Sequence, residues 1–593
     1  MSRPLLAWLF ATLCFTSFLL FTAITASLEN VSIDDSDEDN TYRKNRRKKP
    51  HIVIIVVDDM DWNDVSFHGS NQISTPNIDV LAYNGILNNH YISPLCTPSI
   101  TSLMTGKYPI RLSMQHGVLL SSEPRRLLMN EKLLWQVCES SHCTYINDNC
   151  ILIKRFVLLQ YLKEAGYKTT HIVGKWHSDF YTHEYTSAYR GFDMHFSYWN
   201  GQDYYNHNVM DPKTLISSID MRRNMSVAWD TIDKYSMDLF TEEAIRLINI
   251  HNKDNPMFLY MAHLAPDSGN MNEGNFFVFN IMIKYFILFL DVSLSTAMIF
   301  KLDQSVGEVV EVLKNRGMLE NSIILFMSDN GAPTEDIFQN YDSNYLLRDI
   351  KGSSLWEGVQ GAVQGVAAIW SLLIEKRERV SNQLTYIIDW LFTLLSAAGY
   401  VNKTKSNKVF VIGINKKEIP KIDDHDIWTA LVSDARKTSS RYAVLINIDD
   451  IYDYAAIRHG TFKYINGKSE LHSAWIVDSG RSNVEQRSPY DPDQVLQSRA
   501  GITIAWMQTI RHVLERKREK AALNQIVCQI LQLRREAQIH CNVTEQDKTP
   551  CDPTISPCVF NIEEDDRLSM VPVSNANFDP QANSKFWNNT WTC

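Results

Sequence analysis

Runs of apolar and β-branched residues recur along the first 400 residues of this chain. Residues 52–57 form the clearest run, and such a continuous run is typical of a strand buried on both faces of a sheet. Similar runs cover residues 170–173, 257–261 and 322–327. We therefore expect four buried strands in this part of the chain.

Stretches with helical periodicity lie between these strands, for example residues 302–313 and 383–398. This alternation predicts an α/β fold over residues 50–400, with a large mixed but mainly parallel sheet flanked by helices. Shorter strands and loops follow. We therefore expect a smaller C-terminal α+β domain over residues 401–593.

Two segments interrupt the alternation. Residues 135–158 break what otherwise reads as one helix, and residues 276–300 are mostly Phe, Ile, Leu and Met around Lys284 and Asp291. A membrane-spanning helix would carry these charges near its middle at a high cost, whereas a buried core helix is also possible. Our hypothesis is that both segments are insertions or replacements, for example translated intron sequence.

The N-terminal residues predict entry into the secretory pathway. Arg3, the apolar run 5–24 and the small residues that follow indicate a signal peptide over residues 1–27. An uncleaved membrane anchor is the alternative, and only then would a membrane be a partner. Residues 28–49 are acidic and then basic, which is typical of a disordered leader. We therefore expect the protein in the lysosome or the extracellular space.

Composition fits this interpretation. The 593 residues carry a net charge of −10, which gives no support to a nucleic-acid partner. The 10 cysteines are compatible with disulfides, and the cluster Cys541, Cys551 and Cys558 favours structural bridges over metal ligation. The candidate glycosylation sites in Asn-x-Ser/Thr motifs are Asn30, Asn224, Asn402, Asn542 and Asn588.

Two pairs of polar residues directly follow the first and the fourth expected strands. They are Asp58 with Asp59, and Asp329 with Asn330. Each pair alone is compatible with a solvated turn, as in any Asn-Gly sequence. Because ligands bind at the carboxyl ends of strands in α/β sheets, the two pairs together predict a site for a hard divalent cation such as calcium.

A reactive side chain stands at Cys96. Thr97 is a good N-cap, Pro98 suits the first helical position and Gly106 is a natural stop, so we expect a helix between them. The Cys96 sulfur would then lie just before a helix N-terminus, where free N–H groups and the helix dipole favour anions. This position suggests chemistry on a charged ester.

The same segment resembles the sulfatase signature. Cys96-Thr97-Pro98-Ser99, with residues 103–108 behind it, follows the family pattern C-x-P-S-R except that Ile100 replaces the arginine. The resemblance implies an alkaline-phosphatase-like sulfatase fold and oxidation of Cys96 to a formylglycine nucleophile by the formylglycine-generating enzyme. It also implies one calcium ion with the ligands Asp58, Asp59, Cys96, Asp329 and Asn330. The family's arginine guides the modifying enzyme and steadies the nucleophile, and an apolar residue makes neither contact.

Further motifs resemble the same family. In sulfatases the tetrapeptide Gly174-Lys175-Trp176-His177 carries a lysine that holds the sulfate and a histidine that acts on the nucleophile. A lone Lys-x-His is more often a surface pair. Residues 189–193 and 198–201 extend the match and resemble the arylsulfatase B branch, which cleaves 4-sulfate esters of N-acetylgalactosamine in glycosaminoglycans. A sulfated carbohydrate is therefore the expected substrate.

Three further expected site residues depart from the family pattern. The family's leaving-group histidine aligns with Asp267, which could donate a proton only when it is itself protonated. His263 is either a displaced substitute or a structural histidine. Lys351 resembles the second sulfate-binding lysine, and its alternative interpretation is a solvated loop lysine.

These residues together predict a calcium-dependent sulfuric ester hydrolase of the arylsulfatase B type. One alternative is a secreted paralogue that keeps the fold and binds sulfated glycans without turnover, and another is a faulty gene model of an active sulfatase. A phosphatase or phosphodiesterase of the same superfamily is disfavoured, because Cys96 replaces Ser or Thr and few histidines belong to the metal motifs.

Overall fold

A computed structural model provides the structure of the chain. The described residues are 48–70, 73–112, 114–115, 117–119, 158–178, 186–200, 207–210, 217–267, 294–333, 347, 351, 360–399, 401–403, 409–411, 423–432, 441–449, 454–460, 462–466 and 571–572. The signal peptide, nearly all of the leader and the cysteine cluster near the C-terminus lie outside them, as do Asn30, Asn542 and Asn588.

Strands and helices alternate along the described chain. The strands are β1 (His51–Asp58), β2 (Ile86–Tyr91), β3 (Thr169–Lys175), β4 (Met194–Tyr198), β5 (Asn208–Met210), β6 (Ser217–Ile219), β7 (Arg222–Arg223), β8 (Ser226–Val227), β9 (Met257–Pro266), β10 (Ser322–Ser328), β11 (Gln364–Gly365), β12 (Ala367–Trp370), β13 (Arg379–Tyr386), β14 (Val401–Lys403), β15 (Val409–Val411), β16 (Ala443–Asp449), β17 (Tyr454–His459), β18 (Phe462–Asn466) and β19 (Val571–Pro572). The helices are α1 (Pro76–Tyr83), α2 (Cys96–Thr105), α3 (Leu158–Glu164), α4 (Ser236–Ile250), α5 (Leu294–Asn315), α6 (Gln360–Val363), α7 (Trp390–Ala397) and α8 (Trp428–Val432).

A sheet of eleven strands lies at the centre, and β1 is its middle strand. β1 pairs in parallel with β9 on one side and β10 on the other, and β3 extends the parallel pairing from β9 to β4. Shorter antiparallel pairs, such as β10 with β12 and β4 with β7, complete both sides. The four apolar runs are four of the long parallel strands, so the expected α/β fold with a large mixed sheet is confirmed.

Alternate side chains of the sheet enter two apolar layers, because successive residues of a strand point to opposite faces. Ile52 and Ile54 of β1 belong to the layer that contains α2 and α7. Val53 and Ile55 belong to the opposite layer, which contains α1, α4 and α5. Helices on both faces explain why β1 is buried along its whole length.

Two expected helix boundaries are wrong. Helix α2 begins at Cys96 itself, with Leu95 as the N-cap, so Thr97 lies inside the first turn and does not cap the helix. Gly106 ends α2 in the left-handed conformation, as expected. Residues 383–398 are not one helix, because β13 pairs with β2 through Tyr386 and α7 begins only at Trp390. Sheet pairing outweighs the helical periodicity of that segment.

The two anomalous segments are described only at their C-terminal ends. Residues 294–300 form the first turns of α5, where Ala297, Met298 and Ile299 are core residues. Leu158 is the first residue of α3. Among the described helices, none is both long and apolar enough to cross a membrane.

The residues after 400 include a three-stranded antiparallel sheet, β16-β17-β18. Val444, Ile446 and Ile448 of β16 share one apolar cluster with α2 and α7. This sheet therefore packs directly on the layer that carries Cys96. The expected domain boundary near residue 400 stays a prediction.

Candidate active site

Charged side chains from four neighbouring strands meet at one edge of the central sheet. Asp58 ends β1 and Lys175 ends β3, whereas Asp329 directly follows β10 and Asp267 directly follows β9. These strands are parallel, so their carboxyl ends lie together. Cys96 joins the group from the N-terminus of α2.

Asp58, Cys96 and Asp329 each direct one potential ligand atom into a common space. The three atoms lie within 4.8 Å of one another, and all three side chains are buried. Burial raises the pKa of Asp58 and of Asp329 well above the usual range, and the neighbouring acidic groups act in the same direction. Without a cation, the concentrated negative charge is therefore unfavourable.

Three buried oxygen atoms at this place have no hydrogen-bond partner among the residues that the structure describes. They are Oδ1 of Asp58, Oδ1 of Asp329 and Oδ1 of Asn330. Buried oxygens without a partner are costly, and a divalent cation would satisfy all three. The donor set therefore fits a hard, oxygen-preferring ion such as calcium.

Asp59 lies beside this group and binds other partners. Its Oδ1 accepts hydrogen bonds from the amide nitrogen of Asn330 and from Nζ of Lys351. Burial raises the pKa of Asp59, although Lys351 opposes this shift. The structure thus brings Asp59 to the site, where it orients Asn330 and holds Lys351.

A buried lysine, Lys175, and a partly buried one, Lys351, provide positive charge next to the acidic group. Lys175 forms an ion pair with Asp58, and Lys351 forms one with Asp59. Burial alone would lower the pKa of each lysine, but the surrounding carboxylates raise both above the usual range. Both lysines therefore stay protonated and can bind an anionic ester. The solvated-loop interpretation of Lys351 is wrong, because its side chain is only 14% exposed.

The chain bends sharply where β1 and β3 end. Asp59 has a φ of 56° and His177 a φ of 41°, a left-handed conformation that is uncommon for residues other than glycine. Gly174 is also left-handed, and a Cβ there would lie 1.9 Å from the carbonyl oxygen of Ala262. Such strain is characteristic of sites where the surrounding structure fixes functional side chains.

His177 is buried and neutral at this site. Burial and the charge of Lys175 lower its pKa well below the usual range. Its Nε2 lies 3.2 Å from the carbonyl oxygen of Leu119, whereas its Nδ1 has no hydrogen-bond partner in the described part of the chain. His177 is therefore able to accept a proton at Nδ1.

The two candidates for the leaving-group acid lie in different places, His263 within β9 and Asp267 just beyond its end. Asp267 acts electrostatically on Asp59, Lys175 and Lys351, so it lies within the charged group. His263 lies in the opposite layer, where its Nε2 is 3.1 Å from the Ser305 hydroxyl and burial lowers its pKa to about 3. Of the two interpretations, the structural histidine is the one that the geometry supports.

Ile100 is buried on α2 in the apolar cluster that includes Leu103 and Met104. Residue 100 follows Cys96 by four positions, so both side chains lie on the same face of the helix. No charged group from this position reaches the nucleophile. The departure from the family pattern is therefore located next to Cys96 in space as well as in sequence.

Two further polar groups at the site were missed from the sequence. Asp61 is fully buried, and its Oδ1 accepts a hydrogen bond of 2.7 Å from the backbone N–H of Ala332, just after the Asp329 motif. Its position two residues after Asp59 could have identified Asp61 as a site residue from the sequence. Tyr260 of β9 has a buried hydroxyl without a partner, in the electrostatic field of Asp329, Lys175 and Asp58. The apolar run that contains Tyr260 gives no signal that could have identified it as a site residue.

The sequence and the fold are similar to those of known sulfatases. The sulfatase family profile matches residues 50–400. Arylsulfatase J of Mus musculus is 33% identical over 417 residues, which are 69% of this chain and 59% of that protein. N-acetylgalactosamine-6-sulfatase of Mus musculus is 27% identical over 363 residues, covering 59% of this chain and 62% of that protein. The chain thus spans about 60% of the length of these relatives.

The fold has solved counterparts. The crystal structure of Ps i-CgsB in complex with k-i-k-neocarrahexaose has a TM-score of 0.55 and 22% sequence identity, and the match covers 80% of this chain and 93% of that one. At this identity the likeness concerns the fold alone. Since the family profile covers more than half of the sequence, the chain belongs to the sulfatase family.

Proposed function

We propose that this protein is a calcium-dependent sulfuric ester hydrolase that acts on sulfated sugars of glycosaminoglycans. The observation that carries the proposal is the group of Asp58, Cys96 and Asp329, with unpartnered oxygens on both carboxylates and Lys175 at its side. Within the family, the arylsulfatase B type and a 4-sulfated N-acetylgalactosamine are our finer expectation, which rests on residues 189–193 and 198–201.

We assign the site residues the following roles in this reaction. Asp58, Asp59, Asp329 and Asn330 would hold the calcium ion, which supplies positive charge to neutralise the sulfate oxygens. A hydrated aldehyde made from Cys96 would supply the attacking hydroxyl and a second hydroxyl for release of sulfate.

Lys175 and Lys351 are suited to bind the sulfate and to neutralise charge that develops in the transition state. His177, neutral and with a free Nδ1, is suited to remove a proton from the nucleophile. Asp267 acts electrostatically on Lys175 and Lys351 and is our candidate for delivering the proton that the leaving sugar oxygen needs.

A secreted paralogue that binds sulfated glycans without turnover is the second candidate. The observation that favours it is Ile100, which removes the charged side chain beside Cys96. A faulty gene model of an active sulfatase is a further hypothesis, which concerns residues 135–158 and 276–300, and sequencing of the spliced transcript tests it. A message that encodes both segments would contradict it.

The same proposal includes the secretion of the protein and its modification after translation. We propose a signal peptide over residues 1–27, passage through the secretory pathway to the lysosome or the extracellular space, and modification by the formylglycine-generating enzyme. Asn224 is exposed on the turn between β7 and β8 and is suited to carry a glycan. Asn402 lies on β14.

Mass spectrometry of the Cys96 peptide from secreted protein, together with a sulfate-ester assay, tests the function. We expect the mass of the aldehyde or its hydrate and calcium-dependent release of sulfate. An unmodified thiol without turnover would reject the enzyme in favour of the binding paralogue. Retained binding of sulfated glycan would then support that second candidate.

A further inference from the structure

A closed ring of hydrogen bonds joins the start of α2 to the loop that carries His177. The Thr97 hydroxyl donates to the carbonyl oxygen of His177 at 3.1 Å and accepts from the backbone N–H of Leu119 at 3.1 Å. The ring closes between Nε2 of His177 and the carbonyl oxygen of Leu119 at 3.2 Å. Thr97 and His177 are buried, as is Leu119.

The direction of each hydrogen bond in this ring is fixed by chemistry. A carbonyl oxygen only accepts, so Nε2 of His177 must carry the hydrogen in its bond to Leu119. The Leu119 N–H only donates, so the Thr97 hydroxyl accepts there and directs its own hydrogen to the carbonyl of His177. Each of the three residues therefore donates once and accepts once.

One consequence concerns the imidazole of His177. With the hydrogen on Nε2, a neutral ring has a lone pair on Nδ1. This Nδ1 is buried and meets no hydrogen-bond partner among the described residues. Lys175 and Lys351 stand in its electrostatic surroundings and disfavour a second proton on the ring. The ring thus presents one defined nitrogen as an acceptor.

Another consequence concerns the position of His177 relative to Cys96. Thr97 is covalently next to Cys96, so the ring ties the nucleophile-bearing turn to the backbone of His177, which has the left-handed φ of 41°. We propose that Thr97 is a positioning residue that sets the tautomer of His177 and fixes its place relative to Cys96. The role of Nδ1 as proton acceptor rests on the proposed function, whereas the tautomer does not.

NMR spectroscopy of the full-length protein with 15N-labelled histidine rings tests the proposal without any need for turnover. The chain has 17 histidines, so the His177 signals are identified by subtracting the spectrum of a His177→Gln variant. We expect a protonated Nε2 and an unprotonated Nδ1 in the unmutated protein at pH 7. A proton on Nδ1 would overturn the proposal at once, whether or not the protein hydrolyses sulfate esters.

Variants of Thr97 then separate positioning from mere packing. Thr97→Val keeps the shape but loses both hydrogen bonds, and we expect a mixture of tautomers. Thr97→Ser keeps the hydroxyl and should restore the single tautomer. Thr105→Val is the matched control, because it removes a buried threonine hydroxyl of the same helix that donates to the Thr101 carbonyl within the helix. An unchanged tautomer in folded Thr97→Val would contradict the role of Thr97.

Kinetics add a second readout in protein whose Cys96 peptide carries the aldehyde. Thr97→Val should lower kcat by about tenfold and change KM little, because the base is misplaced and the sulfate-binding lysines are not. Thr97→Ser and Thr105→Val should stay close to the unmutated protein. Loss of turnover in all proteins alike would count against the sulfatase function, while the NMR result would still decide the tautomer.

Discussion

At the scale of single residues, the pair Cys96 and Ile100 sets the strongest constraint on activity. Both lie on one face of α2, one turn apart, and both are buried. An arginine at position 100 would carry its guanidinium past the apolar cluster towards Cys96, where acidic groups concentrate. Isoleucine packs well in the same place but leaves the nucleophile without a charged partner.

We therefore expect Ile100→Arg combined with Asp267→His to raise sulfate-ester turnover by at least about tenfold. The first change restores the charged neighbour of Cys96, and the second provides a leaving-group acid that titrates nearer neutral pH. Mass spectrometry of the Cys96 peptide separates the two contributions, since Ile100→Arg alone should increase the modified fraction. His263→Gln is the control and should not alter turnover of this variant. Unchanged turnover of the double variant would mean that the defect lies elsewhere.

The acidic group makes a second prediction at this scale. Asp329→Asn should weaken calcium binding by about 100-fold or more, because it removes one charged ligand. The same change should stabilise the calcium-free protein, since it relieves repulsion with Asp58 and Cys96. Melting temperatures with calcium and with a chelator measure both effects.

Asp230→Asn is the matched control for that experiment, because Asp230 pairs with Arg223 at an exposed position. The control should respond to calcium as the unmutated protein does. If calcium raised the melting temperature of Asp329→Asn as much as that of the unmutated protein, Asp329 would not be a calcium ligand.

At the scale of elements, the amino ends of β1 and β3 meet the end of α4 through three buried histidines. The rings of His51 and His251 lie edge to face with centroids 5.7 Å apart. His171 also interacts electrostatically with His251. Burial, and then the charge of His251, lower the pKa of His51 and of His171 to about 4. This cluster is at the opposite end of the sheet from Cys96.

Stability should consequently fall as the pH decreases from about 6.5 to about 4, because the unfolded chain takes up protons that the folded histidines do not. His51 and His171 should each contribute on the order of 1–3 kcal/mol to this loss. We expect His171→Gln to flatten the dependence of the unfolding free energy on pH in this window, as measured by urea denaturation. Parallel curves for the variant and the unmutated protein would disprove the assignment.

The elements also show which parts of the structure a sequence can predict. The strands β1, β9 and β10 follow from their apolar runs, and the position of Asp58 at a strand end follows with them. The start of α2 does not follow, because Thr97 uses its hydroxyl in a bond to His177, 80 residues away. Local capping rules contain no information about such a partner.

The contacts of other expected site residues could not be predicted from the sequence for the same physical reason. Lys351 meets Asp59 across 292 residues, and its spacing along the chain gives no measure of that contact. His263 and Asp267 are four residues apart, and regular alternation along a strand would place both on one face. The pairing of β9 with β1 shifts register before Pro266, and Asp267 lies beyond the end of β9, so only His263 keeps its place in the opposite layer. Only the pairing of the strands shows that Asp267, and not His263, lies beside the charged group.

At the scale of the whole molecule, a buried ion pair holds the residues after 400 on the main sheet. Arg441 binds both oxygens of Asp389 at 2.5 and 2.6 Å and donates to the hydroxyl of Tyr108 at 2.9 Å. Arg111 pairs with Asp423 nearby at 2.6 Å. Both ends of the Arg441–Asp389 pair are buried, so neither charge can be satisfied by water.

Arg441→Met should therefore cost about 3–5 kcal/mol of stability, because it leaves the Asp389 carboxylate buried with only backbone donors. Arg223→Met is the control, since its exposed pair with Asp230 should contribute less than about 1 kcal/mol. Urea denaturation followed by tryptophan fluorescence measures both. Equal losses for the two variants would show that the ion pair does not hold the C-terminal sheet.

The order of strands also has a consequence for biosynthesis. The middle strand β1 is made early, but its partner β10 ends 232 residues after Cys96. At about 5–20 residues per second, translation of that stretch takes roughly 10 to 50 s. In the folded protein Cys96 is only 4% exposed. Under the proposed function, the enzyme that modifies Cys96 would therefore act before the central sheet closes. The late arrival of β10 would then leave a period in which the nascent chain is still open to that enzyme, and faster closure of the sheet would shorten it.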